Sequence, residues 1–409
     1  MPPVLLEHPQ FARFWLGQTI SLFGDQITFI ALPLVGVLVL HAGAAEMGYL
    51  TAAGWAPYLF FALHAGAWVD RRGRRRRTMI AADLGRAVLL ATVPVAYTLD
   101  VLTIGQLYAV AFAAGTLSVL FFVSYNTLFV SVVPRERYVE ANSALHGSRA
   151  LSFVGGPSLG GFLVQLLTAP FTLVADAVSF LASAFFLVRI SPEEPPTEEP
   201  ARGHLLGGAR YIVRSSIVRA SLAAAATINF FNFVFWALFI LYATRSLHVR
   251  PAVLGLVLGV GAFGGVLGSV VTGRLSRRFG VGWAAVAGAV LFPAPLVLVP
   301  LAGGPHPLVL AMLFLAEFGS GLGVVILDIS FGSIQQAVIP DRLRARVAGA
   351  FMLVNFGVRP LGSLVGGALG SALGLRPTLW IAALGAIAGF VWLLPSPIPR
   401  LRELPAAAE

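Results

Sequence analysis

Cysteine is absent from all 409 residues. That excludes disulfides, thiol catalysis and cysteine-ligated metals, and leaves the redox compartment open. Lysine is absent too, so all 28 basic residues are arginines, a bias that fits a bacterial source with GC-rich codons. Charge is scarce: 11% of residues are charged against 57% hydrophobic. This is too apolar for a water-soluble domain and suits a polytopic membrane protein. No Walker-type phosphate loop, zinc spacing or nucleophile elbow occurs, and the 7 histidines are scattered and mostly in loops. The chain is therefore not expected to be an enzyme, to hold a metal or cofactor, or to draw energy from ATP. Met1 to Gln10 lacks the basic flank and small-residue cleavage site of a secretory signal, so the first apolar run is expected to stay as a helix.

Long apolar runs, by contrast, are plentiful. A spanning helix needs ~20 of them in sequence, and spans are expected near 11–40, 47–69, 78–99, 104–132, 144–168, 171–190, 219–244, 251–274, 281–302, 307–338, 345–373 and 375–395. All should be helices, because an open sheet edge cannot be satisfied in lipid. The organisation expected is an N-terminal bundle (1–190), a cytoplasmic linker (191–218) and a C-terminal bundle (219–409). The linker carries a stiff acidic run, Pro192 to Pro200. After it, Leu205, Leu206, Tyr211 and Ile212 alternate with Arg210 and Arg214, which suggests a short amphipathic helix on the inner membrane face.

Arginine placement sets orientation. With the N-terminus inside, only Arg245, Arg250 and Arg376 fall outside, and Arg86, Arg149 and Arg359 fall within spans. Both termini are expected to be cytoplasmic. The net charge of +10 thus reflects topology determinants and lipid-headgroup contacts, not a nucleic-acid partner. The two halves repeat. A shift of 207 places Gly48, Gly54, Gly66 and Gly73 on Gly255, Gly261, Gly273 and Gly280, and Asp25 on Asn232. A shift of 206 places Pro134 on Pro340.

The most specific stretch is Gly66-Ala67-Trp68-Val69-Asp70-Arg71-Arg72-Gly73-Arg74-Arg75-Arg76-Arg77. Its arginines cannot enter hydrocarbon, so a tight surface loop is expected. Gly66 would let a neighbouring helix approach, Asp70 would cap another helix's positive end, and Gly73 would permit the turn. Arg71 and Arg74 would hold the loop at the surface. This Gly-x-x-x-Asp-Arg-x-Gly-Arg-Arg pattern between second and third spans resembles the loop signature of the major facilitator superfamily. The resemblance implies an all-α polytopic fold of twelve transmembrane helices in two pseudo-symmetric six-helix bundles, working by alternating access.

Further stretches resemble the macrolide-efflux-like, third drug:proton antiporter family. They are Phe14-Trp15-Leu16-Gly17-Gln18, Gly24-Asp25, Ala31-Leu32-Pro33, Ala82-Asp83-Leu84-Gly85-Arg86, Glu140-Ala141-Asn142-Ser143, Gly156-Pro157-Ser158-Leu159-Gly160-Gly161 and Asp176-Ala177-Val178-Ser179-Phe180. The likeness covers essentially the whole chain and implies export of antibiotics, siderophores or similar compounds. Ser143 and Ser152 stand where the Gly-Pro helix of proton-coupled exporters usually has further glycines. Serine is still small enough for helices to close.

Ionisable groups inside lipid are functional candidates. Asp25 lies ~21 Å along the first span with no positive partner nearby in sequence, and reads as the main proton carrier. Its alternative is a static hydrogen bond to Thr28 or to another helix. Glu317 and Asp328, eleven residues apart on nearly one face of the tenth span, would be two further stations about 16 Å apart. Arg359 would be a switchable or permanent partner to one of them. Asp83 and Arg86 are expected to pair with each other or with the arginine loop at the mouth of the third span. Arg149 would snorkel, and Asp176 would make a helix-entry contact near the outer surface.

Phe122, Tyr125 and Asn126 on the fourth span, with Asn229, Asn232, Phe233 and Trp236 on the seventh, are candidate substrate contacts for a bulky, partly apolar ligand. Gly156, Pro157, Gly160 and Gly161 are candidate gating positions. The fifth-span glycines are expected against Gly261, Gly264, Gly265 and Gly268, and Gly362, Gly366, Gly367 and Gly370 against the second span. The expected function is a proton-coupled exporter of amphiphilic small molecules, acting as a monomer among lipids of the bacterial cytoplasmic membrane. The alternatives are a lipid or lysolipid flippase of the same fold and a non-transporting receptor or scaffold.

Overall fold

A computed structural model describes residues 3–192 and 205–404. Among these residues every regular element is helical. The long helices in order are α1 (Pro9–Leu34), α2 (Ala44–Arg72), α3 (Arg75–Thr98), α4 (Ile104–Val132), α5 (Tyr138–Leu167), α6 (Ala169–Val188), α7 (Ser216–Arg245), α8 (Pro251–Phe279), α9 (Val281–Leu291), α10 (His306–Val338), α11 (Asp341–Leu373) and α12 (Leu375–Ala388). Counting short helical continuations, 11 of these segments are long and apolar enough to cross a membrane. The remaining one, α2, is itself 29 residues long. The chain is a multi-pass membrane protein of the expected class, its backbone polar groups satisfied within each helix.

Local sequence sets the ends. Thr103 caps α4 by accepting from the Gln106 N–H, and Ser215 caps α7 by accepting from the Val218 N–H, each relieving one orphan donor of a first turn. The ninth span is not one helix, as the 281–302 reading had it. It stops at Leu291 and resumes as short turns Ala294–Val297 and Leu298–Leu301. Pro293 and Pro295 lack the N–H that would carry the ladder through.

The arginine stretch also differs from the tight loop expected over 70–77. Helix α2 runs to Arg72 and α3 begins at Arg75, leaving only Gly73 and Arg74 between them. Arginine is a good helix former, so the helices extend into the charged run. Gly73 has φ +59 and its repeat partner Gly280 φ +92, the left-handed conformation in which glycine carries no Cβ penalty. No described atom lies within 4 Å of a Cβ built on Gly66. Among the described residues, no helix makes the close approach expected at that position. The Asp70 side chain lies outside the described residues.

Contacts group the chain into two compact units: Met1–Ala42 with Ala53–Ala201 and Arg250–Gly259, and Gly43–Ala52 with Arg202–Val249 and Val260–Glu409. The first turns of α2 thus count with the second unit and those of α8 with the first. Inside the first unit α1 packs on α5 and α6, and α3 on α4 and α6. Inside the second, α7 packs on α11 and α12, and α9 on α10. Three of these pairings recur in both repeats, and the fourth, α3 on α6, has its counterpart in the short turns after α9, which pack on α12. In the linker, residues 193–204 and the Leu205 and Leu206 side chains lie outside the described residues. The helix Leu205–Arg214 is present, and it docks on the protein. Ile212 is buried with Val218, Ile339 and Val347, and the Tyr211 hydroxyl donates to the Val338 carbonyl at 2.7 Å.

Candidate functional site

Three carboxyls and one guanidinium meet in the first unit where α1, α3 and α6 pack. Asp83 and Arg86, one turn apart on α3, are both buried, and the Arg86 Nη2 donates to Asp83 Oδ1. The other Arg86 nitrogen, Nη1, lies 3.7 Å from Asp25 Oδ1 on α1 and 3.4 Å from the Ser118 hydroxyl. Two rings clamp the guanidinium: its carbon lies 4.0 Å from the Phe180 centroid and 4.6 Å from that of Phe121. Cations are attracted to ring faces, more strongly where water is excluded. Arg86 thus joins two carboxylates in a largely dry setting. The Asp25 side chain is 43% exposed while that of Arg86 is 4%, so Asp25 is the accessible end of the pair and Arg86–Asp83 the anchored end.

Asp176 belongs to the same cluster, which corrects its reading as a contact near the outer surface. It is 1% exposed. Thr28 on α1 donates to its Oδ2 at 2.5 Å, and Ser179 to its Oδ1 at 2.8 Å. The hydroxyl expected beside Asp25 is therefore used by Asp176. Gly24 makes this possible, since a Cβ there would overlap Ser179 Oγ and Asp176 Oδ1. Arg149 is exposed and within electrostatic reach of Asp25 and Tyr125, and Tyr125 stacks on Phe14 at 5.4 Å. Phe122 and Asn126 are exposed, with the Asn126 amide donating back to the Phe122 carbonyl at 3.2 Å. Counting residues toward the helix ends could not find this cluster. One sequence signal does point to it: Asp25, Asp83 and Asp176 each have a polar residue three positions on (Thr28, Arg86, Ser179), the spacing of neighbours on one helix face.

In the second unit Glu317 and Asp328 have different surroundings. Glu317 is 6% exposed, lies beside Gly261 of α8, and has an Oε1 with no hydrogen-bond partner among the described residues. Asp328 is exposed, with Arg359 of α11 within electrostatic reach. Arg359 stacks on Phe356 at 4.1 Å and on Phe233 at 5.2 Å. Asn232 and Phe233 are buried, which leaves Asn229 and Trp236 as the partly exposed members of the α7 set.

The glycine partners differ from those expected. Gly156 and Gly160 of α5 face α1: a Cβ on Gly160 would lie 2.7 Å from Ile30 Cγ2. Only Gly161 meets α8, at Gly255, where a Cβ would come within 3.0 Å of that Cα. Gly264 and Gly268 face α10 at Phe318 and Leu322, and Gly362 and Gly366 face α7 at Phe230 and Val234. Gly367 meets Gly48, as the expectation of second-span contacts required: a Cβ on Gly48 would be 2.7 Å from the Gly367 Cα. The shifts of 206 and 207 carry Gly161 onto Gly367 and Gly48 onto Gly255, so this backbone contact is built twice, once in each unit.

Comparison with known proteins places this geometry in context. The profile of the Major Facilitator Superfamily matches residues 14–359 and 221–409. The multidrug efflux pump Tap of Mycolicibacterium fortuitum is 28% identical over 407 residues, covering 94% of this chain and 95% of that protein. The pump of the same name in Mycobacterium tuberculosis is 27% identical over 405 residues, covering 94% and 92%. Among solved structures, a bacterial homologue of the iron transporter ferroportin aligns with TM-score 0.75 at 17% identity, covering 95% of this chain and 98% of that one. The nucleoside transporter NupG aligns with TM-score 0.72 at 15% identity, covering 94% and 98%. Those two likenesses concern the fold.

Proposed function

Because this chain belongs to the Major Facilitator Superfamily, a transporter family, we propose that it is a secondary active exporter of bulky amphiphilic small molecules, driven by protons entering through Asp25. The observation that carries this reading is the Arg86 guanidinium shared between a half-exposed Asp25 and a fully buried Asp83. When Asp25 is ionised, Arg86 is divided between two carboxylates. When Asp25 takes a proton, that attraction is lost and Arg86 is released toward Asp83. A proton at the accessible end thereby changes the α1–α3 contact at the buried end, which is how a bound ion can bias one helix arrangement over another.

Relatives named multidrug efflux pumps along nearly the whole chain support drugs as the substrate class. The exposed Phe122 and Asn126 with Tyr125 in the first unit, and Asn229 and Trp236 in the second, are the proposed substrate contacts. Their mix of rings and amides suits amphiphiles. Glu317 is the proposed second proton-bearing group, and Asp328, exposed and within electrostatic reach of Arg359, the proposed third. Both termini are proposed to lie in the cytoplasm, a reading that the arginine distribution supports.

Efflux of ethidium, an amphiphilic cation, from proteoliposomes under an imposed pH gradient tests the proposal. The wild-type protein is expected to accumulate or expel the dye according to the sign of the gradient. Asp25→Asn is expected to lower gradient-driven flux at least tenfold while leaving gradient-free exchange measurable. Gradient-driven flux unchanged in Asp25→Asn contradicts the coupling role.

A further inference from the structure

A crevice of about 660 Å³ opens between α3 and α4 where the arginine run begins, lined by Trp68, Arg74, Arg77, Thr78, Leu117 and Leu120 with two alanines of α3. It ends where α3 and α4 close together: a Cβ on Gly85 would come 2.7 Å from Leu117 Cδ1. Its mouth is basic, since Arg74 and Arg77 are both exposed. Its floor is apolar, formed by Leu117, Leu120 and the Trp68 ring.

The α3 surface continues the same division. Leu84 and Val88 are seven and eleven residues beyond Arg77. At 100° per residue both return to within about 20° of its direction, roughly 10 and 16 Å further along the axis. Leu84 is 44% and Val88 66% exposed. A charged head position is thus followed, along one helix face, by a strip of exposed apolar side chains. A free phosphate would use only the arginines. A phospholipid uses both parts, and helix α3 crosses the membrane, so the strip faces acyl chains.

We propose that this crevice is a binding site for one anionic phospholipid, its phosphate held by Arg74 and Arg77 and one acyl chain laid over Trp68, Leu117 and Leu120 and down the Leu84–Val88 strip. Basic pockets between membrane helices recognise anionic headgroups through such contacts. The positive-inside distribution puts the site in the cytoplasmic leaflet.

Native mass spectrometry of delipidated full-length protein, titrated with dioleoylphosphatidylglycerol, tests this. One lipid per chain is expected to be retained at concentrations where dioleoylphosphatidylcholine is not. The double variant Arg74→Gln/Arg77→Gln is expected to weaken that retention about 25-fold, at the contribution typical of two surface arginines. Leu120→Trp fills the floor, keeps both arginines, and is expected to weaken it as well. Arg344→Gln/Arg346→Gln, which removes equal charge from the second unit, is expected to leave it unchanged, and millimolar inorganic phosphate is expected not to displace the lipid. Retention undiminished in either crevice variant overturns the proposal. So does equal retention of phosphatidylcholine, an equal loss in the Arg344/Arg346 control, or displacement by phosphate. Should the double arginine variant fail to purify as a single species, Leu120→Trp alone decides.

Discussion

Replacing Arg86 with methionine is expected to be the most damaging single change in the first unit. Asp83 is fully buried and Arg86 nearly so, and removing one partner of a buried pair leaves a charge with no compensation. The usual cost is about 3–5 kcal/mol, with about 2 kcal/mol more at stake in the contacts to Phe121 and Phe180. The apparent melting temperature of the detergent-solubilised protein should fall sharply. Adding Asp83→Asn should recover much of that loss, because the carboxylate bonded directly to Arg86 is then replaced by a neutral amide. Transport should stay lost in the double variant, since Asp25 still has no guanidinium to respond to. Arg86→Lys separates the two roles further. Its compact ammonium keeps the charge but cannot reach two carboxyls while lying flat between two rings, so near-normal stability with poor gradient-driven flux is expected. A melting temperature unaffected by Arg86→Met would mean that the cluster is not buried as described.

The second large effect is expected at the α8–α10 contact in the second unit. A Cβ on Gly264 would overlap the Phe318 carbonyl and come 3.0 Å from the Leu322 N, and one on Gly268 would lie 2.6 Å from the Leu322 carbonyl. These neighbours are backbone atoms of a helix and cannot rotate away. Gly264→Leu must force α8 from α10, at a cost above the ~1–3 kcal/mol of ordinary overpacking. It should appear as lost monodispersity and a lower melting temperature. Gly147→Ala is the matched control. It sits in α5 with nothing within 4 Å of its added Cβ, and should be neutral or stabilising by roughly 0.5–1 kcal/mol. Equal behaviour of the two variants would rule out close packing as the reason for glycine at position 264.

The spans were legible in the sequence because hydrocarbon imposes one rule on every residue of a crossing segment. Run length and the absence of charge carry that rule directly. The repeat was legible for a related reason: glycines needed for turns and backbone contact recur at fixed spacing, as Gly73 and Gly280 do with their positive φ. Helix pairing was not legible. A glycine announces that something lies close, and only the packed structure says that Gly156 meets Gln26 while Gly264 meets Phe318. Depth in the membrane misled similarly at Asp176. Distance from a helix end says nothing of which neighbour covers a side chain, and there Gly24 and Thr28 of α1 cover it completely. At Asp25 the sequence pointed to an acid within a span but hid its partner, because Arg86 lies sixty-one positions away and reaches it only through the packing of α1, α3 and α6.

Proton release on substrate binding tests the coupling claim most directly. Ethidium is added to the purified protein in weakly buffered detergent solution with a pH-sensitive dye, at a pH where the wild type binds it. The account predicts that wild-type protein releases protons as it binds, and that Asp25→Asn binds with little or no release. Equal release from both proteins would contradict it.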